Sequence, residues 1–114
     1  MEPIPEPAPV GNRLRLPNRR AGVTFDLKVG GLHYVATAGF YPDGRLGEIF
    51  IRSQKANSTA DALGSDAAIA FSLAVQHGAD AEAIRRALCR DAQGRASGPL
   101  GAALDLVLQD GGEV

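Results

Sequence analysis

Apolar and polar residues alternate from Val23 to Val29: Val23, Phe25, Leu27 and Val29 are interleaved with Thr24, Asp26 and Lys28. A period of two puts one set on each face of a β-strand. Gly30 and Gly31 follow, and both can take the positive φ that a type I′ turn requires. A two-residue turn pairs Val29 with Leu32, Leu27 with Tyr34, Phe25 with Ala36 and Val23 with Ala38. Turn chemistry and apolar pattern therefore agree on one register. The opposite face carries Thr24, Asp26, Lys28, His33, Val35 and Thr37, a mixed set suited to water. Tyr41-Pro42-Asp43-Gly44-Arg45 predicts a second turn, with proline at its second position and Gly44 left-handed after it. Leu46 to Ile51 predicts a third strand ending near Arg52. Its consecutive Ile49, Phe50 and Ile51 break the alternation. They predict a strand covered on both sides, or one bent by a bulge at Gly47.

From Ser58 the period becomes helical. Ser58 or Thr59 can cap a helix that carries Asp61 in its first turn. Between Ala67 and Val75 this helix is apolar almost all round, with a narrow polar stripe of Asp61, Ser65, Ser72 and Gln76. Such a helix is buried on most sides. Gly78 ends it, and Asp80 caps a second helix with Ala81, Ile84, Ala87 and Leu88 inward and Arg85 and Arg86 outward. Ser97 caps a third, with Pro99 in its first turn and Leu100, Leu104, Val107 and Leu108 at helical spacing, stopped by Gly111-Gly112. The expected fold class is α+β: a three-stranded antiparallel sheet built from two hairpins, then three helices packed on one face. Pro3, Pro5, Pro7 and Pro9 forbid a helix at the start. Residues 1–20 are therefore expected to be a Pro/Arg-rich arm with a mobile beginning, and residues 21–112 a single domain.

Composition narrows the functional classes. With 114 residues there is room for one domain, and 12 Lys and Arg against 13 Asp and Glu exclude a wholly basic nucleic-acid binder. One cysteine excludes an internal disulfide framework and a cysteine-based zinc cluster. No run is long enough for a membrane helix, and the proline-rich acidic start does not read as a signal peptide. A soluble, cytoplasmic protein without membrane contact is expected. His33 and His77 are the only histidines and stand far apart, so no metal is expected; His77 suits the end of a helix. Cys89 lies beside Arg85, Arg86 and Arg90, which can activate a thiol, but no base is near in sequence and burial is the commoner fate of cysteine. There is no glycine-rich phosphate cradle. Residues 10–55 hold eight basic and three acidic side chains. Arg19, Arg20, Arg52, Lys55, Ser58 and Thr59 form the candidate binding set, the last two offering free N–H groups at a helix start. Only weak, salt-sensitive nucleic-acid binding is expected of it.

Three stretches resemble a known family: LGEIFIRSQKANS (residues 46–58), AAIAFSLAVQHGADAEAIRRAL (residues 67–88) and ASGPLGAAL (residues 96–104). In this order they resemble the TSCPD domain, found at the carboxyl end of adenosylcobalamin-dependent ribonucleotide reductases and also as a separate small protein. The resemblance runs from about Gly22 to Leu108, and its most specific part is SLAVQHGADAEAIRRAL. The Thr-Ser-Cys-Pro-Asp run that names the family reads Ala96-Ser97-Gly98-Pro99-Leu100 here, so its cysteine is Gly98. Family cysteines at the hairpin turn and before the long helix correspond to Gly30-Gly31 and Thr59, which leaves Cys89 as the one thiol. The resemblance implies a stand-alone, bacterial-type, cysteine-depleted member. Its role would be accessory or regulatory to ribonucleoside-diphosphate reductase, with no catalytic residue or cofactor of its own. The partner implied is a reductase or another protein. The rival readings are a nucleotide- or nucleic-acid-binding module and a dimeric scaffold. A homodimer through the helical layer, around Ile69, Phe71, Leu73 and Val75, is expected from the apolar surface of the long helix.

Overall fold

The structure is a computed structural model that describes residues 12–109. The prolines at 3, 5, 7 and 9 and the Gly111-Gly112 stop lie outside the described residues. Three antiparallel strands, β1 (Gly22–Val29), β2 (Leu32–Phe40) and β3 (Leu46–Ser53), form a sheet in the order β1-β2-β3. The helices α1 (Thr59–Gln76), α2 (Ala81–Ala87) and α3 (Pro99–Leu104) follow. The fold class is α+β, as the pattern requires. The β1–β2 register is the expected one, with Val29 opposite Leu32, Leu27 opposite Tyr34 and Phe25 opposite Ala36. Gly30 and Gly31 both have positive φ, at 61° and 78°. In the second hairpin Phe40 pairs with Leu46 and Gly39 with Glu48, so Gly47 is the extra residue of a bulge. A Cβ on Gly47 would lie 2.8 Å from Tyr41 Cε2 and 2.9 Å from Leu16 Cδ2, which explains the glycine there.

The core is one layer of side chains between the sheet and the helices. Leu27, Tyr34, Ala36, Ala38, Ile49 and Ile51 meet Ala68, Phe71, Val75, Leu100, Ala103 and Leu104. Val23 and Leu32, on the same face, lie at its margin and are exposed. Several local expectations change. Ser97 does not cap α3: the N-cap is Gly98, and the Ser97 N–H instead donates to the Cys89 carbonyl. The α-helix stops at Leu104 and widens to a π-turn over Asp105–Gln109. In α2, Ala87 is exposed, while Arg85 folds inward onto Glu82 and Asp105. No residue of this seven-residue helix is fully buried, and Arg85 ties it to Asp105 at 3.0 Å.

Three members of the polar stripe of α1, Asp61, Ser72 and Gln76, point inward against the free edge of β3. Ser72 Oγ accepts the Ile49 N–H at 2.9 Å and lies 3.1 Å from the Ile49 carbonyl oxygen. Gln76 Nε2 donates to the Gly47 carbonyl at 2.9 Å, and an Asp61 carboxylate oxygen accepts the Ser53 N–H at 2.9 Å. The two elements run antiparallel, and their lengths match. Fifteen helical steps from Asp61 to Gln76 cover about 22 Å, and six strand steps from Gly47 to Ser53 cover about 20 Å. Most of an exposed edge strand is thereby satisfied by side chains, at Gly47, Ile49 and Ser53.

Residues 12–20, expected as part of the arm, lie along the domain. The Leu14 N–H donates to the Gln76 carbonyl at 2.8 Å, and the Tyr41 hydroxyl donates to the Leu14 carbonyl. Arg13 bonds the Gln76 side chain, and Arg20 pairs with Glu48 at 2.7 Å.

Candidate functional site

The six candidate residues do not form one surface. Arg52 and Ser58 meet at the β3–α1 corner, but an internal carboxylate already occupies it. Arg52 donates to both Asp61 oxygens, at 2.9 and 2.8 Å. Asp61 also accepts the Asn57 N–H at 3.0 Å, and its own N–H donates to Ser58 Oγ at 3.1 Å. Asn57 holds a left-handed φ of 61° to present that N–H. These bonds hold the Asp61 carboxyl well below the usual carboxylate range, the Arg52 guanidinium first among them, and the same pairing raises Arg52. Asp61 thus already engages Arg52 beside the helix start. Arg20 is engaged by Glu48, Arg19 is exposed, and Lys55 lies with Gly31, Leu32 and His33 beside the hairpin turn.

Thr59 faces elsewhere, into an apolar cavity of about 500 Å³ between the first half of α1 and the start of α3. Ala60, Leu63, Ala67, Leu88, Pro99 and Leu100 line its walls, with Tyr34 at the sheet side. Gly64 makes this junction possible: a Cβ there would lie 3.3 Å from Ile51 Cγ2 and 3.5 Å from Pro99 Cγ. Leu63 is 65% exposed at the lip. The cavity brings together Thr59, Cys89 and Gly98, the three positions at which the TSCPD resemblance places family cysteines or the remaining thiol. Gly30-Gly31 does not line it. Cys89 is exposed rather than buried, because it follows the end of α2 where the chain turns into the loop toward α3. Its neighbours Arg85 and Arg90 are directed to Asp105, at 3.0 and 2.7 Å. These bonds, those of Arg90 foremost, lower the Asp105 carboxyl. One thiol, one hydroxyl and a glycine do not make a ligand set for zinc. Among the described residues no three His, Cys, Asp or Glu side chains are placed to share a metal ion. His77 caps α1, with Nδ1 2.8 Å from the Leu73 carbonyl oxygen.

Sequence reasoning missed the inward turn of Asp61, Ser72 and Gln76. The signal was present: Ala68, Ser72 and Gln76 recur at four-residue steps, and hydrogen-bonding side chains on an otherwise apolar helix need backbone partners. The outer face of α1 correspondingly exposes Leu63, Ile69 and Leu73, with Asp66 among them. Of the patch expected there, Phe71 and Val75 are instead in the core. No helix among the described residues is long and apolar enough to cross a membrane.

The molecule is thus a small α+β domain with an apolar cavity beside a helix that exposes Leu63, Ile69 and Leu73. Its relatives are parts of larger proteins. It is 39% identical over 82 residues to the vitamin B12-dependent ribonucleotide reductase of Streptantibioticus cattleyicolor, covering 72% of this chain and 13% of that protein. The corresponding enzyme of Streptomyces coelicolor is also 39% identical over 82 residues, 72% of this chain and 8% of the reductase. That of Agrobacterium fabrum is 43% identical over 70 residues, 61% of this chain and 6% of the reductase. The chain therefore spans only a small part of the length of the curated relatives it matches. No protein-family model matches it, and no solved structure does. The chain is homologous to a domain-sized segment of the B12-dependent reductases, in agreement with a TSCPD-like domain.

Proposed function

We propose that this chain is a TSCPD-like accessory domain of deoxyribonucleotide synthesis. It docks onto a ribonucleotide reductase in the cytoplasm and supplies no active site of its own. The observation that carries this reading is the 39% identity over 82 residues to a segment making up 13% of a reductase. A segment of that size meets the rest of its protein through a surface, and a relative of it retains the means to do so. The exposed Leu63, Ile69 and Leu73 on α1, continuous with the apolar cavity at Leu63, supply that surface here. Apolar anchors at the edge of a pocket are the usual source of docking energy. Thr59 and Gly98 stand where the TSCPD resemblance places cysteines, which favours binding over thiol chemistry as what this surface offers.

The test is binding of the purified chain to the purified B12-dependent reductase of the same organism, followed by interferometry. Saturable binding is expected, weakened about tenfold or more by Leu63→Asp or Leu73→Asp. Both side chains are already exposed, so neither change should alter the melting temperature. Absence of binding, or binding indifferent to both substitutions, would overturn the reading.

A further inference from the structure

The two edges of the sheet are treated differently. At β3 the outward backbone groups belong to Gly47, Ile49, Ile51 and Ser53, and α1 side chains bond three of these four residues. At β1 the outward groups belong to Thr24, Asp26 and Lys28. The tight turn makes Val29–Leu32 a hydrogen-bonded pair, so Leu27 and Phe25 also face β2, and the even positions face away. Among the described residues no hydrogen bond reaches the N–H or C=O of Thr24, Asp26 or Lys28. The strand is eight residues long, pairs with β2 without a bulge and contains no proline. It thus lacks the usual devices that blunt an edge, apart from its charged side chains. A cleft of about 590 Å³ beside Asp26–Gly30, with Asp91 and Arg95 on its far wall, leaves this stretch accessible.

The charges themselves select a partner. We propose that β1 pairs antiparallel with β1 of a second copy of this chain, with Leu27 on the two-fold axis, joining the sheets into one of six strands. In this register Asp26 lies opposite Lys28 of the second copy, and Lys28 opposite its Asp26. Both ion pairs fall on the outer face, and four backbone hydrogen bonds close between these residues. On the inner face Phe25 meets Val29 of the second copy, twice by symmetry, and both are only half-buried in one chain. A shift of two residues would set Asp26 against Asp26, so opposite charges and apolar pairs both favour the first register. The interface is isologous, as a closed dimer demands. It is independent of the α1 face assigned to the reductase, so either can fail alone.

The experiment is sedimentation of the full chain over a range of concentrations, with amide hydrogen exchange. Twice the mass of one chain is expected, with the Asp26 and Lys28 amides becoming protected as concentration rises. Asp26→Lys and Lys28→Asp each replace two attractions by two repulsions and should raise the dimer dissociation constant about tenfold or more. The combined variant Asp26→Lys, Lys28→Asp restores opposite charges and should restore the dimer. Both charged positions are exposed, so circular dichroism and melting temperature should not change. A chain monomeric at every concentration would overturn the proposal. So would a dimer indifferent to the single reversals, or one dissolved by Leu73→Asp while both reversals are silent.

Discussion

Replacing Ser72 with alanine removes one oxygen from the seam between α1 and β3. The Ile49 N–H loses its acceptor at 2.9 Å. Ile49 is fully buried, and Ser72 is 7% exposed, so the space left admits no ready water. A buried donor left without a partner costs about 1–3 kcal/mol. Alanine is a better helix former than serine by about 0.5 kcal/mol, and Ser72 also donates back to the Ala68 carbonyl, a bond that slightly opposes the helix. The net loss is therefore about 1–2 kcal/mol. For a domain of this size each kcal/mol lowers Tm by about 4–8 °C, so a fall of about 5–15 °C is expected. Thermal and urea unfolding followed by circular dichroism measure it, and exchange at the Ile49 amide reports the site directly. Ser65→Ala is the control: Ser65 is on the same helix and only half-buried. It carries the same propensity change without the edge contact and should leave Tm unchanged or slightly raised. If Ser72→Ala melts with wild type while the Ile49 amide stays protected, the seam is not held by this hydroxyl and the account of α1 is wrong.

Two further outcomes follow from the same geometry. The Asp61 carboxyl is held well below the usual carboxylate range by Arg52 and two backbone N–H groups. Its stabilising effect is present above the unfolded carboxyl value and is lost as pH falls through the folded one. Stability should therefore decline below about pH 4, and Asp61→Asn should lower stability at neutral pH and flatten this acid limb in urea titrations. Gly47→Ala forces a methyl against Tyr41 and Leu16. It should cost about 1–3 kcal/mol and loosen residues 12–17, read out as faster tryptic cleavage at Arg13 and Arg15 before global unfolding.

Local chemistry determined the sheet of this protein. Gly30-Gly31 and the alternation around it leave one register in which apolar residues share a face, and Pro42 with Gly44 closes the second hairpin in the same way. The bulge at Gly47 was one of two readings of the consecutive Ile49, Phe50 and Ile51; the strand is not covered on both sides, since Phe50 is exposed while Ile49 and Ile51 are buried. The resemblance carried by residues 46–58, 67–88 and 96–104 was likewise a property of the chain, and the reductase relatives agree with it. The tertiary structure decided the rest. A helix with polar residues on one side normally turns them to water. Here Asp61, Ser72 and Gln76 face the bare edge of β3, because backbone groups there are the stronger claimants, and Ile69 and Leu73 are turned outward instead. The same docking brings Asp61 to Arg52, a pairing that Ser58, Thr59 and Arg52 do not suggest in one dimension. Thr59, Cys89 and Gly98 are widely separated along the chain. Only the approach of α3 to α1 at Gly64 gathers them around one cavity, since such contacts depend on how far a helix can advance before its neighbours stop it.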